Sequence, residues 1–238
     1  MQLYFIRHAQ SENNKLYEDT SSWDGRNPDA EVTELGYRQA QHLAEHLACA
    51  NGAAHPRDYL NRRHFGLTHL YTSLMVRAII TGSYVAAALN LPLVAWEDLH
   101  EGGGIFVIDP ETNERLGQPG KTRSELAARF PQLILSQAGA DDGWWNRPHE
   151  SKEQQAQRAK RVVVQLLERH GGTDDRVAIV SHGGFYNSLL TELLARPVED
   201  GFWFNLNNTG ITRFNFEEEG IGLAYANRLE HLPADLIS

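Results

Sequence analysis

The sequence predicts an α/β protein, a three-layer α/β/α sandwich around a largely parallel central sheet. Three observations carry this. Short apolar, β-rich runs at residues 3–6, 67–71 and Arg176–Ser181 are each followed in the chain by a segment with helical spacing of apolar side chains. Alternating strand and helix signals place helices on both faces of a parallel sheet, and the near-continuous apolar character of the runs fits strands covered on both sides. Finally, His8 and His182 stand at the carboxyl ends of two of these runs, where open parallel sheets bind their ligands.

Taken in order, residues 3–6 read as a buried first strand, with Arg7-His8 at its end. Residues 11–31 are polar and turn-rich. Thr33 is the expected N-cap of a helix reaching about Ala48, with Leu35, Ala40, Leu43 and Leu47 at helical spacing. Residues 51–63 read as a loop containing Gly52 and Pro56. A second strand is expected at 67–71 and a helix rich in Ala, Ile and Val at about 75–89. A short extended run is expected at 92–96. Gly102-Gly103-Gly104 breaks the chain just after Glu101. Residues 105–148 look like an insertion with turns, one short helix (SELAARF) and a Trp144-Trp145 pair. An amphipathic helix follows at about 151–169. The strand Arg176–Ser181 leads to His182, and Gly183-Gly184 opens a helix to about Leu194. Two strands, 211–216 and 223–227, close the chain.

The 238 residues suit a single domain, residues 1–238, large enough to fold without a disulfide or metal. One cysteine, Cys49, cannot form an internal disulfide, which favours a reducing, cytoplasmic location. A net charge of -9 disfavours nucleic acid and anionic membranes as partners. The opening residues show no signal-peptide pattern and no apolar run approaches membrane-spanning length. An anionic substrate would therefore need a local cluster of Arg and His.

Two such sites are visible. A neutral, oriented histidine is a nucleophile towards phosphorus, and the adjacent guanidinium of Arg7 binds phosphate oxygens. The run Ser181-His182-Gly183-Gly184 joins a strand to a helix N-terminus, whose free N–H groups and dipole favour anions, with Gly183 permitting close approach. Each motif alone also fits an ordinary capping turn.

Taken together, the motifs resemble the histidine phosphatase superfamily, which includes phosphoglycerate mutases and broad phosphomonoesterases. LYFIRHAQSENN resembles its signature strand. EVTELGYRQAQHLAEHL resembles the first helix, YTSLMVRAIITGSYVAAAL the segment with the second phosphate-binding Arg, and LVAWEDLHEGG the segment holding the acid. VAIVSHGG resembles the second histidine motif and NNTGITRF the strand after it. The resemblance implies a phosphoglycerate mutase-like fold in which His8 is the nucleophile that becomes phosphohistidine. Arg7 and Arg77 clamp the phosphoryl oxygens and His182 completes the pocket. Asn14, Ser11 and Gly183 contact phosphate, and Glu101 serves as general acid, then base. No metal and no cofactor are implied. The signature's usual Gly is Ala9 here, a residue that resists positive φ. The 105–148 segment falls where the family places variable, substrate-facing structure. It lacks the longer basic segment of the cofactor-dependent mutases, which favours a phosphatase acting on a small phosphorylated substrate. Mutase-type phosphoryl transfer is the alternative, and a catalytically idle phosphate-binding domain comes third. Oligomeric state is not legible, and a homodimer stays open.

Other features are set aside. Gly120-Lys121-Thr122 mimics a P-loop end, but Arg115 stands where the first Gly is required. His42 and His46 have zinc-compatible spacing without a third ligand, and read as a solvated helix face. Trp144-Trp145 reads first as local core and second as pocket lining. Arg115, Lys121 and Arg123, and likewise Arg26, are candidate contacts to an anion or simply solvated charge.

Overall fold

The computed structural model describes residues 1–50, 52, 55, 58–135, 142–196 and 201–238. Asn51 and Pro56 of the expected loop, and 136–141 of the 105–148 segment, lie outside the described residues. The chain begins with β1 (Gln2–Arg7), α1 (Glu12–Thr20), α2 (Glu34–Ala48), β2 (His69–Thr72), α3 (Val76–Leu89) and β3 (Leu93–Ala95). The middle contributes a hairpin, β4 (Phe106–Ile108) and β5 (Arg115–Gly117), then α4 (Arg123–Arg129) and β6 (Leu133–Ile134). The last third supplies α5 (Lys152–His170), β7 (Arg176–Ser181), α6 (Gly183–Leu193), β8 (Ile211–Glu217) and β9 (Gly220–Arg228).

The central sheet runs β6-β3-β2-β7-β1-β8-β9. The strands from β6 to β1 pair in parallel, whereas β8 and β9 are antiparallel at one edge. Side-chain alternation along the inner strands builds both faces. Tyr4 and Ile6 of β1, with Ala178 and Val180 of β7, join a core that includes Ala40, Leu43 and Leu47 of α2 and Ile79 of α3. Leu3 and Phe5, with Val177 and Ile179, join the opposite core with Val162 and Leu166 of α5 and Phe185 and Leu189 of α6. Each fully buried Leu, Ile or Phe contributes ~1.5–3 kcal/mol from apolar area alone. This is the expected three-layer sandwich.

Helix ends follow the local chemistry. Thr33 caps α2, accepting the N–H of Gly36 at 3.0 Å, and Ser151 caps α5 in a reciprocal pair with Gln154. Gly36 cannot be larger, since a Cβ there would lie 2.2 Å from the Gln10 carbonyl oxygen. The polar stretch expected to be turns contains α1. Its sequence ENNKLYEDT has no apolar stripe, so it gives no periodic signal; the capping box of Ser11 and Asn14 starts it instead.

Within 105–148, β6 extends the central sheet by pairing with β3, and Thr122 caps α4. Lys121-Thr122 is thus a turn entering a short helix. Trp145 is buried with Met75 and Ile105, and Trp144 packs edge-on against it, so the tryptophan pair is local core. His46 departs from the expected solvated face: it stacks on His231 at 5.5 Å and meets the edge of Phe65. Among the described residues, no helix is long and apolar enough to cross a membrane.

Candidate active site

Strand register brings the two histidines together. Arg7 pairs with Ser181 in the parallel β1–β7 ladder, so the next residues, His8 and His182, leave the sheet side by side. Their ring centroids lie 5.0 Å apart. Thr72 pairs with Val180, so Ser73 leaves β2 at the same end. Ser73 Oγ lies 2.9 Å from His182 Nε2.

The His8 ring is oriented by its neighbour. Nδ1 lies 2.7 Å from the Ala9 carbonyl oxygen, which can only accept, so the neutral ring carries its proton on Nδ1. The Nε2 lone pair is then free, and Arg77 Nε donates to it at 3.2 Å. Burial, then the charges of Arg77 and Arg7, hold the His8 imidazole well below the usual histidine range. Ala9 is buried and outside the left-handed region, so Ala in place of Gly brings no strain there. Its N–H donates to Thr81 Oγ1 at 3.0 Å, which anchors the loop to α3.

The guanidinium groups are held but not neutralised. Arg7 Nη1 donates to the Leu206 carbonyl, and Arg77 Nη2 lies 3.2 Å from Met75 Sδ. Arg7 Nε and Arg77 Nη1 are buried without a hydrogen-bond partner, as is His182 Nδ1. Burial lowers Arg7 to about 10, with Glu101 opposing the shift. Burial, then Arg77 and His8, hold His182 well below the usual histidine range. Ser73 Oγ accepts the N–H of Met75 at 3.2 Å and keeps both its O–H and a second lone pair for His182 Nε2. The site floor therefore holds two buried guanidinium N–H donors in want of an acceptor, the pattern an oxyanion would satisfy.

Glu101 sits on the N-terminus of α6. Its Oε1 accepts the N–H of Gly102 at 2.7 Å and of Phe185 at 3.0 Å, and Oε2 accepts Gly184 N–H at 3.2 Å. Gly184 must be glycine, because a Cβ there would sit 2.4 Å from Oε1. The backbone carrying Glu101 is tied to α5 by Arg158, whose Nη1 donates to the carbonyls of Asp98 and His100 at 2.8 and 2.9 Å. Arg158 in turn forms a buried pair with Glu150, at 2.7 Å.

Arg7, His8, Ser11, Asn14, Arg77, Glu101 and Gly183 line one open cleft of about 1160 Å³. His182 is fully buried and does not line the cleft. Asn14 Oδ1 accepts from Ser11 N–H at 3.1 Å, from Ser11 Oγ–H at 2.9 Å and from Asn208 Nδ2 at 3.3 Å. Arg26 and Arg115 line the cleft, their guanidinium carbons 3.9 and 5.8 Å from the Phe106 ring centroid, whereas Lys121 and Arg123 do not line it. In a chain of net charge -9, the cleft is a basic enclave.

Several contributors escaped the sequence reading. Asn208 Nδ2 donates to the His8 carbonyl at 2.9 Å, and Thr209, at φ 58°, donates its N–H to Arg7 O at 3.1 Å. A β-branched residue in the left-handed region is strained, here directly beside His8. Asn208 and Thr209 belong to the NNTG run, which was the only available signal. Ser73 and Thr81 lie in the YTSLMVRAIITGSYVAAAL run, but their partners depend on register.

Among the described residues, one group could offer three metal ligands, His69, His170 and Asp175, at the far end of the sheet. Both His170 nitrogens already have partners, Asp175 Oδ2 at 2.8 Å and Tyr71 OH at 3.1 Å.

Comparison with known proteins is consistent across methods. The family model described as the histidine phosphatase superfamily (branch 1) matches residues 3–228. A protein of Hydrogenobacter thermophilus with the provisional name phosphoserine phosphatase 2 is 26% identical, with 96% of each chain covered. A provisionally named phosphoglycerate mutase of Yersinia pestis is 23% identical, over 92% of this chain and 86% of its own. Among solved structures, phosphoserine phosphatase of Entamoeba histolytica in complex with 3-phosphoglyceric acid aligns with a TM-score of 0.60 at 20% identity, covering 98% of this chain and 99% of that one. A mycobacterial glucosyl-3-phosphoglycerate phosphatase complexed with VO3 aligns with a TM-score of 0.58 at 21% identity, covering 93% and 96%.

Proposed function

The chain belongs to the histidine phosphatase superfamily, branch 1, and from that premise we propose that it is a metal-independent phosphatase which hydrolyses a small phosphomonoester through a phosphohistidine at His8. One observation carries this reading. The nucleophilic lone pair of His8 Nε2 faces Arg77, whose Nη1, like Arg7 Nε, is buried without a partner. A phosphoryl group placed there replaces Arg77 as the partner of Nε2 and satisfies both guanidinium groups.

The chemistry then divides into two in-line steps. His8 Nε2 attacks phosphorus, forming the N–P bond as the P–O bond breaks, and the leaving oxygen takes a proton from Glu101. A water oxygen next attacks the phosphohistidine and gives its proton to Glu101, and the N–P bond breaks to release phosphate. The Ala9 carbonyl holds the Nδ1 proton throughout and stabilises the charge that the ring gains. The two guanidinium groups match the equatorial oxygens, where charge is spread in the transition state.

Phosphoryl return to substrate, as in a mutase, is the second reading, in line with the name of the Yersinia relative. The open cleft favours water as acceptor. The test is turnover of p-nitrophenyl phosphate with trapping of the phosphoenzyme. His8→Ala should abolish both turnover and an acid-labile, base-stable phosphoenzyme, and retention of either would overturn the nucleophile assignment. With 3-phosphoglycerate and 2,3-bisphosphoglycerate, isomerisation faster than phosphate release would establish the mutase instead. Unchanged turnover in EDTA is expected.

A further inference from the structure

The catalytic floor uses only part of the cleft. Its outer part is lined by Tyr17, Trp23, Phe202 and Trp203, which come from two segments far apart in sequence. These side chains are 46%, 44%, 57% and 60% exposed, values at which large aromatics are uncommon on a surface without a partner. Tyr17 and Trp23 are already stacked, with centroids 4.5 Å apart and planes at 22°, so they offer a flat platform before anything binds. Phe202 is held against Phe204 at 4.7 Å, which fixes the segment presenting Trp203. A three-carbon phosphate ester anchored at His8 would leave these rings in water.

We propose that the outer cleft is a ring-binding subsite, so that the preferred substrate is a phosphomonoester whose alcohol carries a flat apolar ring face, a sugar or a nucleobase, which stacks on Tyr17–Trp23 and Trp203. This rests on the phosphatase reading, because the phosphate held at His8 is what threads the remainder of the substrate outwards past Glu101. Continuity of one cleft from His8 to Trp203 identifies the occupant as substrate rather than a separate partner. Stacking on aromatic side chains tolerates many ring types, so the subsite selects for a ring without selecting one ring.

Two measurements test the proposal. The first compares adenosine 5′-monophosphate, glucose 6-phosphate and O-phosphoserine as substrates of the wild-type chain. At least one ring-bearing ester should exceed O-phosphoserine about tenfold in kcat/KM, and the ester that does so separates base from sugar. In Trp203→Ala and Trp23→Ala that ratio should fall about tenfold, mainly through KM. A wild-type preference for O-phosphoserine, or a ratio unmoved by both substitutions, overturns the subsite while leaving the phosphatase reading intact. The second measurement is independent of turnover. In His8→Ala, adenosine 5′-monophosphate or glucose 6-phosphate should quench tryptophan fluorescence, and the quench should be lost when Trp203→Ala is added. Equal quenching by O-phosphoserine, or no loss on adding Trp203→Ala, refutes the subsite. Absence of turnover on every ester, p-nitrophenyl phosphate included, would instead sink the phosphatase reading.

Discussion

Glu101 Oε1 accepts the backbone N–H of Phe185 at 3.0 Å, which fastens the candidate acid to the first turn of the helix that His182 begins. The candidate acid and His182 therefore share one rigid element. Glu101→Gln keeps the hydrogen-bond geometry of one oxygen but removes the proton cycle. It should slow an alkyl phosphate by about a hundredfold or more, in line with general-acid contributions. p-Nitrophenyl phosphate, whose leaving group needs little protonation, should be slowed much less. Equal slowing of both esters would remove Glu101 from the acid role.

Gly184→Ala tests the same contact from the other side. The new Cβ would lie 2.4 Å from Glu101 Oε1, so the carboxylate must move. Turnover of alkyl phosphates should drop by about tenfold or more while the circular-dichroism spectrum stays native, as expected when a positioned group is displaced by an ångström. Wild-type kinetics in this variant would show that Glu101 placement is not limiting.

The low proton affinity of His8 has burial as its first cause and Arg77 as its second. Removing a nearby positive charge favours the protonated imidazole. In Arg77→Gln the His8 titration should therefore move upward, followed by NMR of the ring nitrogens, and the acid limb of kcat/KM should move the same way. A downward or absent shift would contradict the electrostatic account of the nucleophile.

Much of this arrangement is legible in the sequence. Strands β1 and β7 announce themselves because both faces are buried and nearly every residue is apolar. Thr33 and Ser151 mark helix starts through hydroxyl caps. Helix α1 was invisible because its residues present no apolar stripe, and β6 because two residues carry no period. Arg7, His8, Arg77, Glu101 and His182 were reached through motif resemblance; geometry adds their company. Ser73, Thr81 and Asn208 touch the site only because β1, β2 and β7 end at one level, and register is a tertiary property with no local code.

Buried neutral histidines make stability pH-dependent above the carboxylate range. Burial holds His8, His100 and His182 well below the usual histidine value of about 6.5 and, as the leading cause, pushes His231 down to about 3. As pH falls through about 6.5, the unfolded chain takes up these protons and the folded chain does not. The unfolded state thus binds more protons, so stability declines as pH drops from 7 towards 5. Each such histidine contributes up to ~1.4 kcal/mol per pH unit. Urea midpoints at pH 7 and 5.5 measure this, and equal midpoints would show that these rings are already solvated.

The Arg158–Glu150 pair links stability to catalysis. Arg158 is 1% exposed and meets both Glu150 oxygens, at 2.7 and 2.8 Å, while its remaining nitrogen holds the Asp98 and His100 carbonyls. Breaking one side of such a pair leaves an uncompensated buried charge and costs about 3–5 kcal/mol. In Glu150→Ala the melting temperature should fall by roughly 10 °C for a chain of this length. The freed guanidinium also loosens the backbone entering Glu101. Below the transition, alkyl phosphates should then lose more kcat than p-nitrophenyl phosphate, the same signature as Glu101→Gln. Glu150→Gln, which retains the side-chain volume and one acceptor, should recover part of both losses. A fall in stability with uniform loss across leaving groups would confine Arg158 to a purely structural part.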